Sequence, residues 1–107
     1  MATILNKRLY MQVAANDYEE DLQAVNSGQD LHVYSAGGNA CYGMDVKVEL
    51  ILVGETTNIV IFSTHGDDEQ EVNQHYIPEE SCNLKARLVN DTSNAETIGI
   101  WYRGDIT

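Results

Sequence analysis

Asp67, Asp68, Glu69 and Glu71 crowd four carboxylates into one short stretch, the hard oxygen donors that calcium prefers. The stretch lacks the alternating ligands and central glycine of an EF-hand loop, so it reads as a solvated acidic turn and no metal is expected. His32, His65 and His75 are the only histidines, and Cys41 and Cys82 the only cysteines. No pair among them has zinc-finger or metalloprotease spacing. A Cys–His nucleophilic pair would need a third, orienting group that the sequence does not suggest, and buried reduced thiols are the ordinary reading of both cysteines. Carboxylate pairs that could hydrolyse a sugar exist by residue type, but glycosidases need a deep cleft around the two acids and a chain of 107 residues offers little depth. Gly37-Gly38 lacks the spacing of a phosphate loop. Arg103-Gly104-Asp105 spells an integrin-recognition tripeptide that reads as chance at a strand end, with Gly104 breaking the strand. No catalytic residue and no cofactor is expected.

The aromatic residues are the better binding candidates. Trp101 and Tyr102 are neighbours, so a regular strand points one inward and the other outward. An outward aromatic buries much area at low entropic cost, and Tyr10, Tyr34, Tyr42 and Tyr76 add to that surface.

Charge limits the partners. The chain carries 17 acids against six scattered cations, Lys7, Arg8, Lys47, Lys85, Arg87 and Arg103, for a formal net charge of -11. Such a chain cannot build the positive footprint that neutralises phosphates, so nucleic acid is not an expected partner. The same repulsion works against anionic lipid, and the longest apolar runs, Leu50 to Val53 and Ile59 to Phe62, fall far short of a membrane span. The first residues carry their cations after the apolar ones, unlike a secretory leader. With 43% hydrophobic residues, the composition is that of a folded domain, and the length allows one.

The elements that would position these residues are strands. Alternation of apolar and polar residues marks Leu9 to Val13, Val46 to Leu52, Cys82 to Leu88 and Thr97 to Arg103. Gly54 to Asn58 is a loop of hairpin length between Val46–Val53 and a returning strand, Ile59 to Thr64. Cys82 to Leu88 and Thr97 to Arg103 read as a second hairpin. Leu31 to Tyr34 is a short run ending at a turn, Ser35 to Asn39, and Val72 to Ile77 is a run stopped by Pro78. Asp17 to Val25 is open between a short helix and an edge strand, because Asp17 with Glu20 resembles a capping box. About seven strands without intervening helices predict an all-β fold, an antiparallel β-sandwich of jelly-roll type in one domain.

Met44 onward carries a further pattern. Val46-Lys47-Val48-Glu49-Leu50 leads through a hairpin to Ile59-Val60-Ile61-Phe62, a proline-led turn at Pro78 precedes Asn83-Leu84-Lys85-Ala86, and the chain closes one hairpin later at Ile98-Gly99-Ile100-Trp101. This half resembles the small β-sandwich structural proteins of tailed bacteriophages, and in size and acidity it is most similar to the head decoration (cement or staple) proteins of short-tailed phages. The resemblance implies a noncatalytic virion protein that is assembled in the host cytoplasm. It would bind the major capsid protein on the outer capsid surface in many copies and tie subunits together. Acidity fits the outer face, since packaged DNA would repel the chain from the lumen. A small sandwich reaches a specific interface of about 1,000 Å2 most readily through an arm. The expected contacts are therefore an N-terminal arm within residues 1–7, with Ala2, Thr3, Ile4 and Leu5 adding to a neighbour's sheet edge, and the aromatics Tyr10, Trp101 and Tyr102; the alternative is that Ile4 and Leu5 belong to this domain's own first strand. Dimers or trimers on the capsid are expected from the same edge-pairing argument. Two other functions compete. A carbohydrate- or receptor-binding sandwich predicts an exposed aromatic beside carboxylates in a shallow groove. A DNA-mimicking inhibitor predicts carboxylates in two rows at phosphate-like spacing.

Overall fold

The computed structural model describes residues 2–40 and 45–107. Eight strands follow in order: β1 (Thr3–Val13), β2 (Asp17–Val25), β3 (Leu31–Ala40), β4 (Val46–Val53), β5 (Asn58–Thr64), β6 (Asp68–Tyr76), β7 (Cys82–Asn90) and β8 (Glu96–Ile106). They form two four-stranded antiparallel sheets, ordered β1-β8-β3-β6 and β2-β7-β4-β5. The pairings β1 with β8, β2 with β7, β3 with β6 and β4 with β5 are those of one long ribbon folded at its middle. Pairing of β3 with β8 and of β4 with β7 then joins the ribbon's segments into two sheets. This is the jelly-roll order, in agreement with the alternation read from the sequence.

The chain changes sheet at every connection but one. β4 and β5 share a sheet and form the expected hairpin. The second expected hairpin does not form: β7 pairs with β2 and β4, whereas β8 pairs with β1 and β3 in the opposite sheet. Two alternating strands with a short connection look the same in sequence whether they pair or arch across the core, because each buries one face either way.

Two other expectations change, and one open alternative resolves to the edge strand, for related reasons. Asp17–Val25 is strand β2, in unbroken register with β7 from Asp17 opposite Asn90 to Val25 opposite Cys82, so the pairing overrides the local helical signal. The run at Leu31 does not stop at Ser35; β3 continues to Ala40 across a bulge between Val33 and Ser35. Its glycines serve close approach rather than a turn. A Cβ at Gly38 would stand 2.5 Å from Val48, and one at Gly37 2.3 Å from Trp101 Nε1. Most of the acidic turn is likewise a strand, since Asp68, Glu69 and Glu71 belong to β6.

Inward positions build one core. Val46, Val48, Leu50 and Leu52 on β4 meet Leu84, Ala86 and Leu88 on β7, and Leu31, Val33, Ile98, Ile100, Tyr102 and Ile106 face them from the other sheet. Asn90 is fully buried but satisfied. Its Nδ2 donates to the carbonyls of Val13 at 3.0 Å and Asn94 at 2.8 Å, and its Oδ1 accepts from Thr92 N at 2.9 Å and Thr92 Oγ1 at 2.7 Å. One side chain thereby fixes the β1–β2 and β7–β8 connections to each other.

Candidate functional site: the outer face of the sheet with β1

The outer face of β1-β8-β3-β6 collects the chemistry that the sequence scattered. Register alone sets its rows. Ile4 lies opposite Asp105, which lies opposite His32, which lies opposite His75. Arg8 lies opposite Trp101, which lies opposite Gly37, which lies opposite Glu69. Tyr10 lies opposite Gly99, and Gly99 opposite Asn39.

In the first row the polar groups satisfy one another. The His32 and His75 rings stack with centroids 3.9 Å apart. His75 Nδ1 is 2.9 Å from the Asp30 carboxylate, and His32 Nε2 donates to Asn73 Oδ1 at 2.8 Å. Asn73 reaches that position with φ 45°, opposite the β3 bulge. Tyr34 donates to the Asp105 carboxylate, and that bond raises the Tyr34 pKa by favouring the protonated phenol. Among the described residues no three His, Cys, Asp or Glu side chains converge as a metal-ligand set. Cys82 is a buried free thiol, and Cys41 and Tyr42 lie outside the described residues.

The second and third rows form an open groove around Trp101. On one side a depression of about 290 Å3 is lined by Arg8, Tyr10, Asn39, Gly99, Ile100 and Trp101. On the other, a second of about 290 Å3 is lined by Ser35, Glu69, Gln70, Glu71 and Trp101, and Asp67 and Asp68 line a third. The Tyr10 ring fills the space over Gly99, where a Cβ would come 2.5 Å from Tyr10 Cδ2. The Arg103 guanidinium stands over the Trp101 ring, 5.7 Å from its centroid.

Among the expected contact residues, Ile4, Tyr10 and Trp101 share this outer face, with Ile4 80% exposed, and Ala2 lies exposed beside it. Thr3 and Leu5 alternate to the other side of β1. Leu5 and Tyr102 are each 1% exposed and belong to the core, so neither offers a surface. Residues 3–7 are not a separate arm but the start of β1, paired with β8 from Thr3 opposite Ile106 onward. Arg103-Gly104-Asp105 sits within β8, where Gly104 continues the strand instead of breaking it. A Cβ there would meet the His32 carbonyl oxygen at 2.1 Å, so glycine is required by the neighbouring backbone. Sequence reasoning missed Arg8, Asn39 and Ser35 as groove residues, and it assigned Glu69 and Glu71 to a turn. Only the β1–β8–β3–β6 register places them beside Trp101.

The opposite sheet presents a different outer face. Glu20 bridges Lys85 at 3.3 Å and Arg87 at 3.7 Å, Lys47 pairs with Glu49 at 3.4 Å, and the Arg87 guanidinium covers the Tyr18 ring at 4.6 Å. The acids of β2 and β6 stand on strands at opposite ends of the two sheets, not in two rows on one face as a DNA mimic requires.

No family model matches the sequence, and no curated protein matches it. Similar solved structures include a chain in the structure of infectious bursal disease virus, Gt strain, with 7% identity, a TM-score of 0.34, and coverage of 95% of this chain and 32% of that one. A chain in the structure of the Gx strain has 10% identity, a TM-score of 0.28 and the same 95% and 32% coverage. This chain thus spans about a third of the length of those viral chains.

Proposed function

We propose that this protein is a noncatalytic virion structural protein, a decoration protein that binds the major capsid protein on the outer surface of a phage head and stabilises it. The observation that carries the reading is the free edge of β1. Two sheets of four strands have four edges, and three of them are blunted. β2 carries Asp17, Glu19, Glu20 and Asp21. β6 carries Asp68, Glu69 and Glu71 and faces a bulge, and β5 has seven residues and a register shift against β4. Charge, bulges and shortness are the devices that keep an edge from pairing with another chain.

β1 is neither short nor bulged, and its only charges are the cations Lys7 and Arg8. It runs 11 residues in unbroken register with β8, holds no acid and no proline, and among the described residues is paired only on that side. Such an edge is a template for strand addition, with backbone hydrogen bonds giving affinity and outward side chains giving register. Lys7 and Arg8 also make it the one edge strand among those described that presents cations, in a chain whose charge of -11 is otherwise repulsive to acidic partners. Two copies can also pair through it about a two-fold axis, which fits a dimer on the lattice.

Co-sedimentation of the purified protein with undecorated heads tests the reading: a fixed, saturable ratio is expected, and failure to bind overturns it. Ile4→Ser should weaken binding by about tenfold, or 1.4 kcal/mol, with the melting temperature little changed because Ile4 is 80% exposed and serine adds no charge opposite Asp105. Deleting Ala2 to Leu5 is the poorer test, since it removes Leu5 from the core.

A further inference from the structure

We infer that the groove around Trp101 binds a neutral oligosaccharide, with the indole standing between two sugar units. This goes beyond capsid binding and does not rest on it.

Three observations converge on that ligand. First, the aromatic surface is built in place. Gly37 and Gly99 leave the room that the Trp101 and Tyr10 rings occupy, and a Cβ at either would collide at 2.3 and 2.5 Å. Rings seated against backbone lose little freedom when a ligand arrives, and they suit the C–H face of a pyranose. Second, donors and acceptors for hydroxyl groups flank the rings on both sides. Arg8 lies on the Tyr10 side, and Ser35, Glu69 and Glu71 lie on the other. Hydrogen bonds to charged groups are the stronger ones, and a sugar hydroxyl can both donate to a carboxylate and accept from a guanidinium. Third, the cations here are in no ion pair, although Arg103 also stands over the Trp101 ring. Lys47, Lys85 and Arg87 on the opposite sheet are all in ion pairs, whereas among the described residues Arg8 and Arg103 are in none.

Other ligand classes fit less well. The carboxylates of Asp67, Asp68, Glu69 and Glu71 repel phosphates and anionic sugars. An apolar peptide would have to desolvate those same charges without partners. Two depressions of about 290 Å3 on either side of one indole each have room for a single sugar ring, so a disaccharide or longer ligand would straddle Trp101.

Calorimetric titration with chitotriose, cellotriose and mannotriose, with sialyllactose as the anionic comparison, tests the site. Saturable binding of at least one neutral trisaccharide at roughly millimolar Kd is expected. Trp101 is the only tryptophan, so its emission should shift along the same isotherm. Trp101→Ala should weaken binding at least about tenfold, and Glu69→Gln with Glu71→Gln at least about threefold. Tyr10→Ser is the second variant should Trp101→Ala not fold, because Tyr10 is 58% exposed. Ile4→Ser should leave sugar binding unchanged while it weakens head binding, which separates failure of this site from failure of the decoration reading. Absence of saturable binding to every neutral trisaccharide overturns the inference. So does binding of sialyllactose alone, or affinity unchanged in both ring variants.

Discussion

Tyr102 is the largest side chain sealed in the core, and its hydroxyl is buried with no hydrogen-bond partner among the described residues. Burial, reinforced by the nearby Asp21 charge, pushes its pKa up to about 12 from an ordinary 10.0. The unfolded chain then releases this proton before the folded one does. Tyr102 therefore contributes stability that is whole below pH 10 and is lost as pH rises toward 12. Tyr102→Phe removes an orphaned donor while keeping the ring, so it should be neutral or stabilising by about 1 kcal/mol near neutral pH. It should also lose less stability than wild type on alkaline titration, read as melting temperature against pH. A marked loss of stability at neutral pH would show that the hydroxyl has a partner. Residue types were legible in the sequence at this scale, but their facing was not. Adjacency told that Trp101 and Tyr102 must point opposite ways; only the packed sheets put Tyr102 inside and Trp101 in the groove.

The β4–β5 hairpin is held from outside itself. Glu80, on the β6–β7 connection, accepts from Thr57 Oγ1 at 2.6 Å, Thr56 Oγ1 at 2.8 Å and Thr56 N at 2.9 Å, while Gly54 N donates to the Thr57 carbonyl at 2.8 Å. The hydroxyls of Thr57 and Thr56 and the Thr56 amide favour the ionised carboxylate and hold Glu80 below the usual range. A depressed acid contributes stability above its unfolded pKa and loses it as pH falls through the folded value. Glu80→Gln should melt below wild type at neutral pH, with the gap narrowing on acidification through the carboxylate range. A gap independent of pH would remove the charge from the explanation. The hairpin was legible from Gly54 to Asn58 in the sequence, but its clamp was not, because Glu80 lies 24 residues from Thr56. The arch from β7 to β8 was misread for the same cause. Alternation specifies that a strand has a buried face and is silent on which sheet that face completes.

Across the whole molecule, the two ends of the chain are neighbours: Thr3 pairs with Ile106, and every ribbon pair except β4–β5 joins distant segments. Loop closure must precede most of the contacts that reward it, so folding in milliseconds to seconds is expected in stopped-flow refolding, rather than microseconds. In native-state hydrogen exchange the inner strands β8, β3, β7 and β4 should be the most protected, and β1, β2, β5 and β6 the least. Rapid exchange of β8 or β4 would contradict the strand order. Charge also takes its meaning at this scale. The acids of β2 and β6 guard opposite edges, the cations of the second sheet are paired on its face, and Arg8 and Arg103 are left flanking Trp101.

By itself the sequence determined the class of fold and the composition of the core. Period-two alternation commits a chain to strands with one buried face, and the balance of acids over cations decides which partners are repelled. Tertiary structure decided which strands pair, which edge stays open and which residues share a face. Those are properties of register between segments far apart in the chain, and a local pattern holds no information on them. The free edge of β1 and the groove around Trp101 exist only because residues near both ends of the chain and from its middle meet in one sheet.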